Sequence, residues 1–191
     1  MNNLHRLFWG ILLLSALLLS GCAKDDTGKA PGGDSGPAAS SGLESNSSAE
    51  PISFTGTDLE GNSVSADAFA QSKLTMVNVW ATYCNPCLSE MPGLGELAAE
   101  YDGEEFQIIG IISDVLEGKD QSYAESLVQQ TGANYPHLLL NESIYSALLT
   151  DVSAVPTTYF LDKNGIILDT VVGAMKKTDW EEKISGLLEG L

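Results

Sequence analysis

The segment "LTMVNVWATYCNPCLSEMPGLGELAAEY", residues 74–101, decides how the chain folds. Its first seven residues, Leu74 to Trp80, form a near-continuous apolar run of strand length, the pattern of a strand buried on both faces of a sheet. Further on, Leu94, Leu97, Ala98 and Tyr101 recur at i, i+3, i+4 and i+7, which predicts an amphipathic helix. A second apolar run, "FQIIGIIS" at 106–113, follows it. Strand, helix and strand in this order predict a βαβ unit, whose crossover should be right-handed. Cys84 and Cys87 then lie where the first strand gives way to the helix. They could hold a metal, lock the fold or react.

Working outward, "FTGTDLEGNSVSADAF" (54–69) places Gly61-Asn62 between two short segments, a hairpin leading into a short helical turn. After the βαβ unit a helix is expected around 119–130, with Tyr123, Leu127 and Val128 on one side. A short strand "HLLLN" (137–141) and a short helix near 143–149 complete an inserted αβ unit. Beyond Pro156, "TTYFLD" and "IILDTVV" flank the turn Asp162-Lys163-Asn164-Gly165 and read as an antiparallel hairpin. A last helix carries Trp180, Ile184, Leu187 and Leu188 on one face. The fold class is therefore α/β: a mixed central sheet flanked by helices, with an N-terminal β-hairpin and an inserted αβ unit, in one domain over residues 52–191.

The first 21 residues read as a targeting segment, with Arg6 in a short polar start and an apolar run from Leu7 to Leu19. That run falls short of the about 20 residues a membrane-spanning helix needs. It ends in Leu19-Ser20-Gly21-Cys22, which resembles the lipobox of bacterial lipoproteins and so implies cleavage before Cys22 and a lipid on its sulfur. Residues 22–51 are then the lipidated cysteine and a Gly-, Ser-, Ala- and Pro-rich linker with too little apolar surface to fold. The expected location is extracytoplasmic, held to the bacterial cell membrane by the lipid. The chain carries 26 Asp+Glu against 9 Lys+Arg, net −17, and its one arginine, Arg6, lies in the targeting segment. A protein this acidic and without guanidinium forks is a poor ligand for phosphates, and no nucleic-acid partner is expected.

With Cys22 an anchor, Cys84 and Cys87 form the one possible intramolecular pair, in a compartment where disulfides persist. A bond closing so short a loop stabilises least, so a purely structural role is a poor use of it. Zinc would need four good ligands, and the mature chain offers two cysteines, His137 and carboxylates without a second C-x-x-C, so no metal is expected. Reaction needs a thiolate, and a helix N-terminus supplies unpaired N–H groups and partial positive charge that favour one. Pro86 suits the first turn, where its missing N–H has no helical partner. Cys84 is thus the nucleophile, and Cys87, one turn deeper, the sulfur that resolves a mixed disulfide. This chemistry requires no organic cofactor.

The order Trp80-x-x-x-Cys84-x-Pro86-Cys87, with Val155-Pro156-Thr157 some 71 residues further on, resembles the thioredoxin superfamily. Glu90-Met91-Pro92, the leading hairpin and the inserted αβ unit resemble its TlpA/ResA-type thiol-disulfide oxidoreductases. The resemblance implies a thioredoxin-like fold over residues 52–191 and a cis peptide before Pro156. It also implies that Glu90 transfers the proton of Cys87, and that Trp80, Tyr83, Pro86, Val155, Pro156 and Thr157 meet the substrate. Tyr83 replaces a common tryptophan, and Asn78 stands where ordinary thioredoxins bury an aspartate, shifting proton handling toward Glu90. Partners implied are protein disulfides or dithiols, apocytochrome c of cytochrome c maturation among them, and a membrane thiol donor of the CcdA or DsbD type, met by a monomer. Two rivals share the fold. A Sco-like copper-delivery protein should space its cysteines by three residues rather than two, and a peroxiredoxin-like antioxidant enzyme should have Pro at 77 and Thr or Ser at 81, where this chain has Val77 and Ala81.

Overall fold

The computed structural model describes residues 50–191; the targeting segment, Cys22 and the linker up to residue 49 lie outside them. Strands β1 (Thr55–Thr57) and β2 (Ser63–Ser65) form the N-terminal hairpin, followed by a 3-10 turn (Ala66–Gln71). Then come β3 (Leu74–Trp80), α1 (Asn85–Glu100), β4 (Phe106–Leu116), α2 (Ser122–Thr131), β5 (His137–Leu140) and α3 (Glu142–Ile144), which runs into a π-helical turn at Tyr145–Leu149. The chain ends in β6 (Thr157–Asp162), β7 (Ile167–Val172) and α4 (Lys177–Leu188). The five-stranded sheet has the order β5-β4-β3-β6-β7. β4 runs parallel to β3 and β5, whereas β6 runs antiparallel to β3 and β7.

Every residue of β3 is buried, and its alternation sorts the core into two halves. Leu74, Met76 and Trp80 join Met91, Leu94, Leu97, Leu127, Trp180 and Ile184 on the helix side. Val77 and Val79 face the other way and pack with Phe54, Phe69, Ile144, Leu148 and Leu149, from the hairpin side and the inserted unit. Burying each large apolar side chain contributes about 1.5–3 kcal/mol. The same period of two puts Asn78 on the helix side between Met76 and Trp80, a polar residue fully buried.

β4 runs three residues past the predicted Ser113. Its last residues alternate in exposure, with a register shift between Ile112 and Leu116, so the segment lacks the apolar run that marked the rest. Two glycines let elements approach. A Cβ on Gly110 would lie 2.2 Å from His137 Nδ1, and one on Gly95 would lie 2.2 Å from the carbonyl oxygen of Gly132, where α1 crosses the end of α2.

Candidate active site

β3 ends at Trp80, and the turn that follows is held from β4. Ser113 Oγ donates to the Trp80 carbonyl at 2.9 Å. Asp114 accepts from Thr82 N at 3.0 Å and from Thr82 Oγ1 at 2.5 Å. Cys84 then caps α1: its backbone is extended and its Sγ accepts from Cys87 N at 3.2 Å. Pro86 occupies the first turn, where no acceptor is lost. Cys84 and Cys87 are joined in a disulfide, with Cα atoms 5.3 Å apart. Cys84 Sγ lies 3.5 Å from the carbonyl oxygen of Val155, and the Val155–Pro156 peptide is cis, as the resemblance implies.

Around this disulfide the expected substrate contacts divide. Tyr83 is 74 % exposed and Pro86 is exposed, so both can meet an incoming chain, and Val155 is half-buried beside them. The side chains of Trp80, Pro156 and Thr157 are buried. Trp80 instead donates its indole N–H to His137 Nδ1 at 3.1 Å, and Thr157 Oγ1 donates to the Ala154 carbonyl at 2.7 Å. The expectation that Trp80 touches substrate is corrected for a physical reason: a strand residue on the helix side faces the core, whatever its distance along the chain from the cysteines.

His137 Nε2 lies 2.9 Å from the Ala133 carbonyl oxygen, so it carries the proton, and Nδ1 is the acceptor for Trp80. Burial pushes this imidazole down to about 4, against the opposing pull of the Ala133 carbonyl. It is a neutral bridge between β5 and β3, with no lone pair left for a metal. Among the described residues no cluster of three His, Cys, Asp or Glu side chains could hold a metal ion.

Glu90, two helical positions beyond Leu88 and one turn beyond Cys87, is 5 % exposed, so it is not a solvated helix glutamate. Three donors converge on it: Asn78 Nδ2 on Oε1 at 3.1 Å, and Met175 N and Trp180 Nε1 on Oε2 at 3.1 and 3.3 Å. Burial pushes the carboxyl up from its ordinary value, and the hydrogen bonds from Met175, Asn78 and Trp180 pull it only part of the way back. Asn78 Nδ2 also donates to Thr158 Oγ1 at 3.0 Å, its register partner on β6. Among the described residues, Asn78 Oδ1 and the Tyr135 hydroxyl oxygen are the buried side-chain atoms without a partner. Both belong to the surroundings of Glu90: Asn78 bonds to it, and its charge, after burial, helps push the Tyr135 hydroxyl up. Sequence reasoning found Glu90 but missed Met175, Trp180, Thr158 and Tyr135 as its neighbours. It placed Trp180 on the buried face of its helix, and nothing in the local pattern pairs that face with position 90.

A reactive disulfide needs a sulfur that a partner can reach, a thiolate-stabilising environment and a group that handles the second thiol's proton. Cys84, 5 % exposed between the exposed Tyr83 and Pro86, caps the helix whose N–H groups favour a thiolate, and the buried Glu90 lies one turn beyond Cys87. The AhpC/TSA family model matches residues 49–170, and the chain belongs to that family. It is 31 % identical over 115 residues to the thioredoxin-like protein YneN of Bacillus subtilis, covering 60 % of this chain and 65 % of YneN. It is 28 % identical over 135 residues to the thiol-disulfide oxidoreductase ResA of Geobacillus kaustophilus, covering 70 % of this chain and 74 % of that protein. Among solved structures, a thioredoxin-family thiol:disulfide interchange protein of Chlorobium tepidum superposes with a TM-score of 0.62 at 23 % identity, over 72 % of this chain and 94 % of the other, which establishes the thioredoxin-like fold. The chain is a thiol-disulfide oxidoreductase of the TlpA/ResA type within the thioredoxin superfamily.

Proposed function

We propose that this oxidoreductase works outside the cytoplasm, tethered through a lipid on Cys22, and reduces disulfides of cell-envelope proteins, apocytochrome c among them. The lipobox-like Leu19-Ser20-Gly21-Cys22 and the linker after it support the tether. The observation that carries the chemistry is Cys84: its Sγ sits on the N–H of Cys87 and 3.5 Å from the Val155 carbonyl, beside exposed Tyr83 and Pro86.

In the reduced protein the Cys84 thiolate attacks one sulfur of the substrate disulfide. A bond forms between Cys84 and that sulfur, and the other substrate sulfur leaves as a thiolate and takes a proton from water. Glu90 then accepts the proton of Cys87, whose sulfur attacks Cys84 Sγ. The intramolecular disulfide closes, the second substrate sulfur leaves, and two electrons have passed from the protein to the substrate. A dithiol donor, of the membrane CcdA or DsbD type, returns them by the same steps in reverse. The carbonyl of Val155, 3.5 Å from Cys84 Sγ, offers an acceptor to an extended substrate lying across Cys84, and the protein acts as a monomer.

Trapping tests the assignment. Cys84→Ser should abolish reduction of a peptide disulfide, and Cys87→Ala should accumulate a covalent complex that a reducing gel dissolves. If Cys84→Ser keeps its activity, or if Cys87→Ala traps nothing, the roles given to the two sulfurs are wrong. Labelling with radioactive palmitate, lost in Cys22→Ala, tests the tether.

A further inference from the structure

Cys87 has no exposed surface, so its proton cannot go directly to water when the resolving thiolate forms. The two oxygens of Glu90 have different surroundings. Oε1 faces the sheet and Asn78; Oε2 accepts from Met175 N, in the segment that leads into α4. That segment and α1 enclose a cleft of about 420 Å³, walled by Ser89, Gly93, Ala174, Lys176 and Lys177 and reaching Glu90. A second hollow, of about 290 Å³, lies on the docking side and is lined by Tyr83, Ala154 and Val155 among others. The two share no lining residue.

We infer that Glu90 exchanges its proton with water through the cleft between α1 and the segment before α4, on a different face from the one the substrate covers. This rests on the thiol-exchange reading and deepens it. A substrate lying over Tyr83 and Val155 excludes water from Cys84 while leaving the proton exit open. During resolution the proton passes from Cys87 to Glu90 and then to cleft water, and the substrate thiolate is protonated from its own side. During reduction by a donor dithiol the same proton returns by the same path.

The walls suit this task. Gly93 and Ala174 are small, and a Cβ on Gly93 would lie 3.2 Å from Lys177 Cβ, so the opening depends on a missing side chain. Lys177 Nζ bridges Glu100 at 2.6 Å, Glu96 at 3.1 Å and Glu181 at 3.5 Å, which fixes α4 against α1 and leaves that ammonium already matched by carboxylates. The titratable and charged groups around Glu90 are Tyr135, from the loop before β5, and Lys176 and Lys177, which line the cleft; Cys87 precedes it by one turn on α1. From β3, β6 and α4 it meets the neutral Asn78, Thr158 and Trp180.

The test uses Ala174→Trp, which covers the mouth from an exposed position, and Gly93→Val, which narrows it from the opposite wall. Reduced full-length protein is mixed with oxidised glutathione, and formation and resolution of the mixed disulfide are followed by stopped flow and acid quench. Both variants should form the mixed disulfide at the wild-type rate but resolve it about tenfold more slowly near neutral pH, with a larger solvent deuterium isotope effect. In a Glu90→Gln background Ala174→Trp should add no further slowing, because both changes then act on one step. Wild-type resolution in both variants, or equal slowing with and without Glu90, overturns the inference. If the wild-type protein forms no mixed disulfide at all, the thiol-exchange reading fails first and takes this one with it.

Discussion

Asn78→Asp restores the residue type that ordinary thioredoxins bury, and here it should damage the site. In this protein the amide nitrogen of Asn78 lies 3.1 Å from Glu90 Oε1 and 3.0 Å from Thr158 Oγ1, all three buried. The substitution removes one of three donors to Glu90 and puts a second carboxylate in its place. Two like charges about 4 Å apart repel by about 4 kcal/mol at an effective dielectric constant of about 20. At about 1.4 kcal/mol per factor of ten, that raises the pair's affinity for a first proton by roughly a thousandfold over wild type. The two acids then hold one proton jointly and titrate in two steps that belong to the pair. Infrared difference spectra across a pH series should show a protonated carboxyl C=O band persisting to distinctly higher pH than in wild type. Resolution of the mixed disulfide should slow near neutral pH, since the base that receives the Cys87 proton is already occupied, while Asn78→Leu should keep the single-acid titration. If the band in Asn78→Asp disappears at the wild-type pH, the Asn78–Glu90 contact does not order this site, and the argument from burial and donors fails.

The same physics gives further expectations. Because burial raises the Glu90 carboxyl, the folded state binds its proton more tightly than the unfolded chain, and the stability this contributes below about pH 4.5 is lost as pH rises through the folded value. Urea unfolding of Glu90→Gln should therefore gain on wild type between pH 4 and pH 8, and a relative loss would contradict the burial argument. His137 has the opposite sign: its folded value of about 4 lies below the ordinary 6.5, so its contribution is complete above 6.5 and falls away toward pH 4. That step amounts to about 3 kcal/mol, and it should vanish in His137→Gln; an unchanged acid limb would show the imidazole to be solvated. Gly110→Ala, driving a methyl into His137, should cost about 1–3 kcal/mol and lower Tm, whereas Gly103→Ala, with open space around it, should not. Tyr83→Ala should raise KM for peptide disulfides with little change in Tm, because the ring is exposed and supports nothing beneath it.

What could be read in advance followed the range of the interaction. β3 emerges from residue 74 to 80 as the apolar run predicts, because a strand buried on both faces states itself in consecutive residues. The C-x-P-C site is equally local: the cap, the proline and the second sulfur lie within four residues, so their spacing already fixes the geometry. The helix expected at 119–130 begins only at Ser122, since Asp120 turns its carboxylate onto Ser122 N and holds the entry in a turn. The neighbours of Glu90 are another matter, for Asn78, Met175 and Trp180 stand 12, 85 and 90 residues away and meet it only after the strands take their register. Alternation along β3 does say that Asn78 shares a face with Met76 and Trp80. It cannot say that α1 delivers a carboxylate to that point, because the rotation of a helix over a sheet is set by every side chain between them. Trp80 shows the cost of reading function from proximity in sequence. Four residues from the nucleophile, it spends its one N–H on His137 across the sheet and holds β5 to the strand that presents the cysteines. Removing that ring should therefore displace the site through its support, and the loss of activity would be indistinguishable from a lost substrate contact unless Tm were measured alongside it.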